Sequence, residues 1–135
     1  MGGYIAKKLV KKLIGMGKAI LGARILVMGM TFKENVADIR NSKVVDIINE
    51  LKDFGVEVDV VDPYADPEEV KKMYGFRLIE KPLGNYDAVV VAVAHDAYQG
   101  LDEKYFKSLT CDKAVLVDVK GMYRDKIHEL KYWSL

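Results

Sequence analysis

Apolar residues occur along this chain in two kinds of run. Short stretches rich in valine, isoleucine and leucine, one of them alternating with acidic residues, are typical of strands in a largely buried sheet. They cover residues 24–29, 56–60, 88–93 and 114–118. Apolar residues at spacings of three and four predict helices over residues 4–16, 44–54, 66–74 and 101–109. The alternation predicts an α/β fold, a Rossmann-like open parallel sheet flanked by helices and joined by right-handed crossovers.

Three local features complete the predicted order of elements. Asn41 or Ser42 is expected to cap the second helix, and Gly55 to end it. A minor strand is expected over residues 76–79. Beyond the last buried strand, residues 120–121 are expected to turn the chain toward a last short helix.

The amino-terminal helix is predicted to be amphipathic. Ile5, Leu9, Leu13 and Met16 lie on one face, and lysines occupy the remaining faces. Such a stripe predicts packing against this domain or against a neighbouring one. A basic helix lying on a membrane surface is the alternative.

Composition narrows the class of protein. A chain of 135 residues can bury one core without disulfides or a structural metal. Lys+Arg (21) nearly balance Asp+Glu (20), so no general attraction to nucleic acid or membrane is expected. Because Cys111 is the single cysteine, a disulfide framework and a multi-cysteine metal site are excluded. Its position is expected to be at the edge of the sheet opposite the ligand side, so no catalytic role is predicted for it. No apolar run approaches the ~20 residues of a membrane-spanning helix, and lysines interrupt the start of the chain, so a soluble cytoplasmic protein without a signal peptide is expected.

The most informative segment is the loop after Gly29, because ligands of open α/β sheets bind beyond the carboxyl ends of the strands. This loop lacks the three closely spaced glycines of a dinucleotide-binding turn. It carries Lys33 and Arg40, and Lys120 follows a strand end on the same edge. A lysine binds phosphate or carboxylate as a point charge, and an arginine binds these groups through two parallel N–H donors. The sequence therefore predicts an anion site, and the alternative is that these residues are solvated surface charges.

Two further polar positions end strands at this edge. Asp62 is placed like a ribose-binding acid, but its position before Pro63 favours a turn-forming role. His95 and Asp96 are adjacent, so their side chains diverge and do not predict a catalytic pair. For His95, capping of the following loop is favoured over contact with a ligand.

The segment GMTFKENVADIRNS at residues 29–42 resembles the signature of the UDP-glucose/GDP-mannose dehydrogenase family at the start of its third domain. The likeness continues at residues 62–63, 86–88, 92–96 and 117–121. The resemblance implies that residues 1–22 are the end of the central interdomain helix. It also implies that residues 23–135 form the carboxy-terminal UDP-sugar-binding domain.

By this resemblance, the chain is one part of an enzyme that oxidises C6 of a nucleotide sugar to a carboxylate. The family does so in two NAD-dependent steps, through a thiohemiacetal and a thioester on a cysteine. The NAD fingerprint and that cysteine belong to other domains of the family, so this chain alone is expected to be inactive. The resemblance places Phe32 and Lys33 on the UDP-sugar and Arg40 toward the NAD phosphates. Lys120 would replace a UDP-holding arginine of some relatives, and the full-length enzyme is expected to be a homodimer.

The signature is most similar to the branch of the family that acts on UDP-N-acetylhexosamines for capsular or O-antigen polysaccharides. UDP-glucose stays an alternative, and GDP-mannose fits less well. The sugar is expected to be read mainly by the other domains. A different class of function is a free-standing nucleotide-binding or regulatory interaction module, since a fold does not by itself imply catalysis.

Overall fold

A computed structural model describes residues 2–134, and five strands form one central sheet in it. The strands are β1 (Arg24–Met28), β2 (Glu57–Val61), β3 (Tyr86–Val91), β4 (Thr110–Asp118) and β5 (Lys131–Ser134). The helices are α1 (Gly2–Gly15), α2 (Val44–Asp53), α3 (Pro67–Tyr74) and α4 (Glu103–Leu109), with a short 3₁₀ helix at Asp96–Tyr98. The predicted fold class, a Rossmann-like parallel sheet with flanking helices, is confirmed.

The strand order is β2-β1-β3-β4-β5. Neighbouring strands all pair in parallel, so their carboxyl ends meet at one edge of the sheet. The order reverses between β1 and β3. The space beyond these two strands is therefore the switch point at which ligands of open α/β sheets bind.

Helices α1 and α2 pack on one face of the sheet. Ile5, Leu9 and Leu13 of α1 are at most 1% exposed and share a core with Ile25 and Val27 of β1. Burial of each such side chain contributes about 1.5–3 kcal/mol. The apolar stripe of α1 is therefore buried against this domain, as the first of the two alternatives predicted. These residues are not exposed to a membrane surface, so the second alternative is not supported. No helix within residues 2–134 is long and apolar enough to cross a membrane.

The other face of the sheet is covered by α4 and the 3₁₀ helix. Its core contains Tyr86 of β3, Phe106 of α4 and Tyr123 from the segment after β4. The Tyr123 hydroxyl donates to the Tyr98 carbonyl (2.6 Å), which joins that segment to the 3₁₀ helix. Both faces of the central strands are therefore buried, as their unbroken apolar sequences predict.

Two predicted elements are wrong. Residues 76–79 do not form a strand, because the Ile79 N–H bond to the Val60 carbonyl (3.0 Å) is not extended into a ladder within the described chain. The last element is not a helix but the edge strand β5. The Glu103 carboxylate accepts the N–H groups of residues 128–130, and this anchor directs the chain to the edge of β4.

Candidate functional site

The carboxyl ends of β1 and β3 are in direct contact. Gly29, the residue after β1, has a φ of +89°. A Cβ atom at this position would lie 2.8 Å from the Val93 Cβ and 3.1 Å from the Val93 backbone nitrogen. Only glycine permits this approach without a shift of the backbone. The strand ends therefore leave no space for a ligand between them, and the candidate site is the surface of the loops that follow the strands.

Asp62, which follows β2, is a buried acceptor whose side chain is 0% exposed. One carboxylate oxygen accepts the N–H groups of Tyr64 (2.7 Å) and Ala65 (3.1 Å), which form the predicted turn. The other oxygen accepts the Met30 N–H (2.8 Å) and faces the His95 ring at 3.0 Å. Four bonds fill the acceptor capacity of a carboxylate. The turn-forming prediction is confirmed, and a ribose-binding role is excluded.

His95 is fully buried and holds the loop after β1. Its Nδ1 accepts the Asn35 N–H (2.9 Å), so the ring proton is on Nε2, which faces Asp62 (3.0 Å) and the Thr31 hydroxyl (3.3 Å). The His95 side chain makes no cap bond with the following 3₁₀ helix. Asn35 does so instead, because its Oδ1 accepts the Asp96 N–H (2.8 Å). The prediction that His95 caps the loop after it is wrong, since the ring fixes the loop after β1.

A pocket of about 160 Å³ lies beside this loop. Its lining brings together the three residues predicted to bind substrate, Phe32, Lys33 and Lys120. It also contains Lys43, which the sequence analysis missed. The remaining lining residues are Thr31, Glu34, Val44 and Val93. Three ammonium groups against one carboxylate make this pocket attractive to an anion.

The amino terminus of α2 adds to the positive character of the pocket. Val44, its first residue, lines the pocket, and Lys43 at the N-cap position makes no side-chain cap bond. Ser42, which was predicted as a cap, donates its hydroxyl to the Met30 carbonyl (2.5 Å) instead. The capping prediction is therefore wrong. The first N–H groups of α2 have no side-chain cap, and with the helix dipole they favour a bound anion.

Arg40 does not line this pocket. Its side chain is 75% exposed, and its Nε and Nη2 donate to the two oxygens of Asp38 at 3.1 and 3.2 Å. The guanidinium and the Arg40 backbone N–H hold the pKa of Asp38 below its usual value. Of the two cations predicted to bracket the loop, only Lys33 enters the pocket.

Cys111 lies at the start of β4, at the amino edge of the sheet, where the sequence predicted it. Its Sγ is 3.3 Å from the Lys18 Nζ, which also donates to Asp87 at 2.8 Å. These contacts tie the loop after α1 to the sheet. The thiol therefore lies at the opposite edge from the positively charged pocket.

The structure defines a Rossmann-like α/β domain with a lysine-lined pocket at the carboxyl edge of its sheet. Residues 26–125 match the model of the UDP-glucose/GDP-mannose dehydrogenase family, UDP binding domain. The chain belongs to this family.

Individual relatives agree with this assignment. Protein CapL of Staphylococcus aureus is 42% identical over 123 residues, which are 90% of this chain and 29% of CapL. UDP-N-acetyl-D-glucosamine 6-dehydrogenase of Salmonella typhi is 38% identical over 121 residues, 89% of this chain and 28% of that protein. The crystal structure of NDP-N-acetyl-D-galactosaminuronic acid dehydrogenase from Methanosarcina mazei Go1 has the same fold, with a TM-score of 0.80 at 23% identity over 98% of this chain and 28% of that one. The chain thus spans less than a third of the length of these relatives.

Proposed function

We propose that the pocket holds the UDP part of a UDP-sugar and that the chain is the carboxy-terminal, substrate-binding domain of a UDP-sugar 6-dehydrogenase. The observation that carries this proposal is the convergence of Lys33, Lys43 and Lys120 with the uncapped amino terminus of α2. Ammonium groups and helix N–H groups both bind phosphate oxygens. A diphosphate offers these oxygens in a compact group, and its charge complements three lysines.

Phe32 supplies the part of the pocket that can recognise a base. Its side chain is 53% exposed at the pocket wall, which leaves an apolar face open to a ligand. A pyrimidine stacked on an aromatic face gains about 1–3 kcal/mol. Phe32 is therefore assigned to the uracil side of the ligand, and the lysines to its diphosphate.

In this proposal the hydride chemistry depends on parts of the enzyme that the relatives have beyond the matched region. The loop after β1 has one glycine rather than the three closely spaced glycines that cradle a dinucleotide, so the main NAD site does not fit this domain. Cys111 lies at the opposite edge from the pocket and does not serve as the acyl-bearing thiol. Two-step oxidation at C6 with NAD therefore needs the additional domains, and the isolated chain is inactive.

Arg40 has a separate role in the same proposal. It is exposed after the loop that carries Lys33, and its local partner Asp38 is two residues away. An exposed ion pair of this kind is worth little, so the guanidinium is free to turn toward a stronger anion. We assign it to the phosphates of NAD held by another domain.

The relatives also support a choice of sugar. The Salmonella typhi relative is named for UDP-N-acetyl-D-glucosamine, which favours a UDP-N-acetylhexosamine as the substrate. The similarity of residues 29–42 to the capsular and O-antigen branch of the family adds a place in polysaccharide biosynthesis, including capsule formation, to the proposal. A homodimeric, cytoplasmic full-length enzyme belongs to the same proposal.

The test is an NMR titration of the 135-residue chain with UDP, using GDP and NAD as comparison ligands. UDP-selective shifts are expected at Phe32, Lys33 and the start of α2. Lys33→Ala and Lys43→Ala are each expected to weaken UDP binding about three- to tenfold, the loss of one hydrogen-bonded contact. Lys104→Ala, on the exposed side of α4, is the matched control and should leave binding unchanged. Equal shifts with GDP, or equal losses in the control variant, would show that the pocket is not a UDP site.

A further inference from the structure

Lys120, one of the three lysines of the pocket, lies in a tight turn after β4. The Val119 N–H still bonds the Val91 carbonyl of β3 (3.1 Å), so the sheet ladder ends one residue before Lys120. The Asp118 carbonyl then accepts the Gly121 N–H (3.2 Å), which closes a four-residue turn with Lys120 in its third position. Lys120 itself is exposed, so the position of its ammonium group depends on the shape of this turn.

The Asp118 side chain fixes the end of the turn. Asp118 is fully buried, and its carboxylate accepts two consecutive backbone N–H groups, from Met122 (3.0 Å) and Tyr123 (2.7 Å). The N–H groups of residues 121–123 are therefore all bonded to Asp118. A phosphate at this turn would meet the Lys120 side chain rather than these three N–H groups.

The same carboxylate joins the turn to the edge strand β5. Its Oδ2 atom accepts the Tyr132 hydroxyl (2.6 Å) as well as the Tyr123 N–H. Burial raises the pKa of the Tyr132 hydroxyl to about 12, and the bond to Asp118 contributes to this rise. The hydroxyl therefore stays protonated at neutral pH and donates to the carboxylate. Asp118 thus lies between β5 and the turn that carries Lys120.

We propose that Asp118 is a positioning residue for the diphosphate of UDP, and that β5 supports UDP binding through the bond between Tyr132 and Asp118. This inference rests on the proposed function, because the ligand is the UDP assigned to the lysine pocket. Asp118 acts through Lys120, since its own side chain is buried and its charge would repel a phosphate. A carboxylate accepts with both oxygens, whereas an asparagine amide must turn its NH2 group toward the Met122 or the Tyr123 N–H.

A double-mutant cycle on the intact 135-residue chain tests this coupling, with UDP affinity measured by NMR titration. Lys120→Ala and Asp118→Asn are each expected to weaken UDP binding about three- to tenfold. The double variant should bind UDP no more weakly than Lys120→Ala, because Asp118 acts through this lysine. Losses that multiply in the double variant would overturn the proposal, and so would unchanged UDP affinity in folded Asp118→Asn.

Tyr132→Phe tests the link to β5 with a milder change, and it replaces Asp118→Asn in the cycle if that variant does not fold. We expect faster hydrogen exchange of the Met122 and Tyr123 N–H groups and UDP binding weakened about two- to threefold. Tyr105→Phe, which alters a half-buried tyrosine of α4, is the matched control and should change neither quantity. Equal effects of the two phenylalanine variants, or intact UDP binding in Tyr132→Phe, would overturn the role of β5.

The outcome can be separated from that of the proposed function. Lys33→Ala and Lys43→Ala report on the pocket without altering the turn that Asp118 holds. If these two variants weaken UDP binding and Lys120→Ala does not, the pocket remains the UDP site and the positioning role of Asp118 is refuted. A parent chain that binds no UDP would refute both proposals.

Discussion

Replacing Gly29 with alanine tests the close contact that shapes the candidate site. Gly29 has a φ of +89°, and an added Cβ would approach the Val93 Cβ to 2.8 Å. The left-handed conformation costs a non-glycine residue about 1–2 kcal/mol. Overpacking adds about 1–3 kcal/mol, because the Val93 backbone nitrogen at 3.1 Å cannot rotate away as a side chain can. The expected loss of unfolding free energy for Gly29→Ala is therefore about 2–5 kcal/mol.

Gly17→Ala is the matched control for this variant. Gly17 has a φ of +81°, and its added Cβ would meet no heavy atom within 4 Å. It shares the backbone cost without the overpacking, so a loss of about 1–2 kcal/mol is expected. Urea denaturation followed by circular dichroism measures both values. Similar losses in the two variants would refute the idea that β1 and β3 are held in contact at their carboxyl ends.

The same pair of variants links packing to binding. The loop after β1 positions Phe32 and Lys33 at the pocket. Relief of the clash requires this loop to shift, which would move both residues. Gly29→Ala should therefore weaken UDP binding in the fraction of protein that stays folded, whereas Gly17→Ala should not. Intact UDP affinity in Gly29→Ala would show that the loop position does not depend on this contact.

Three further predictions follow from the hydrogen bonds and charges. Asp62→Asn should cost about 2–4 kcal/mol in urea denaturation, because the NH2 group of the amide must face either the Met30 N–H and the His95 ring or the N–H groups of residues 64–65; a loss below about 1 kcal/mol would contradict the four-bond geometry. Burial raises the pKa of Glu103, but the hydrogen bonds from the N–H groups of residues 128–130 outweigh burial and lower this pKa below its usual value. Its stabilisation of β5 is thus present above the pKa of the unfolded chain and is lost as pH falls through the folded-state pKa. Hydrogen exchange of β5 should show this acid-side loss in the parent chain and not in Glu103→Ala. Finally, UDP affinity should fall as NaCl rises, since exposed lysines are screened by salt, and a salt-independent affinity would count against the lysine site.

The central strands could be predicted from the sequence because burial on both faces of a strand requires an unbroken run of apolar residues. Strands β1, β3 and β4 are covered on both faces, which requires the unbroken apolar runs that identify them. Strand β5 lacks this signal, because its four residues are exposed or half-buried at the edge of the sheet. Contacts distant in sequence fix it instead: Glu103 anchors the chain before it, and the Tyr132 hydroxyl donates to Asp118 at 2.6 Å.

The residues of the candidate site that follow strand ends could be predicted from the order of the elements. The residue whose position depends on a local hydrogen bond could not. Lys33 and Lys120 both follow strand ends, and parallel strands bring such positions to one edge. Lys43 was missed because Ser42 looked like the helix cap, whereas its hydroxyl bonds the Met30 carbonyl. A helix start at this edge is itself a signal for an anion site, and the lysine beside it could have been included on that ground.

Asp62 and His95 resemble site residues in sequence, yet both are buried and hold the loop after β1 in place. The charges that line the candidate pocket belong to exposed lysines. This division has a consequence for affinity. The supports are buried and fixed, but Phe32 is 53% exposed and its stacking face loses little water when a base binds on one side only. Apolar contact gains free energy in proportion to the area removed from water. We therefore expect weak UDP binding by this domain alone, and a large increase in affinity when a second surface of the full-length enzyme covers Phe32 and the base together.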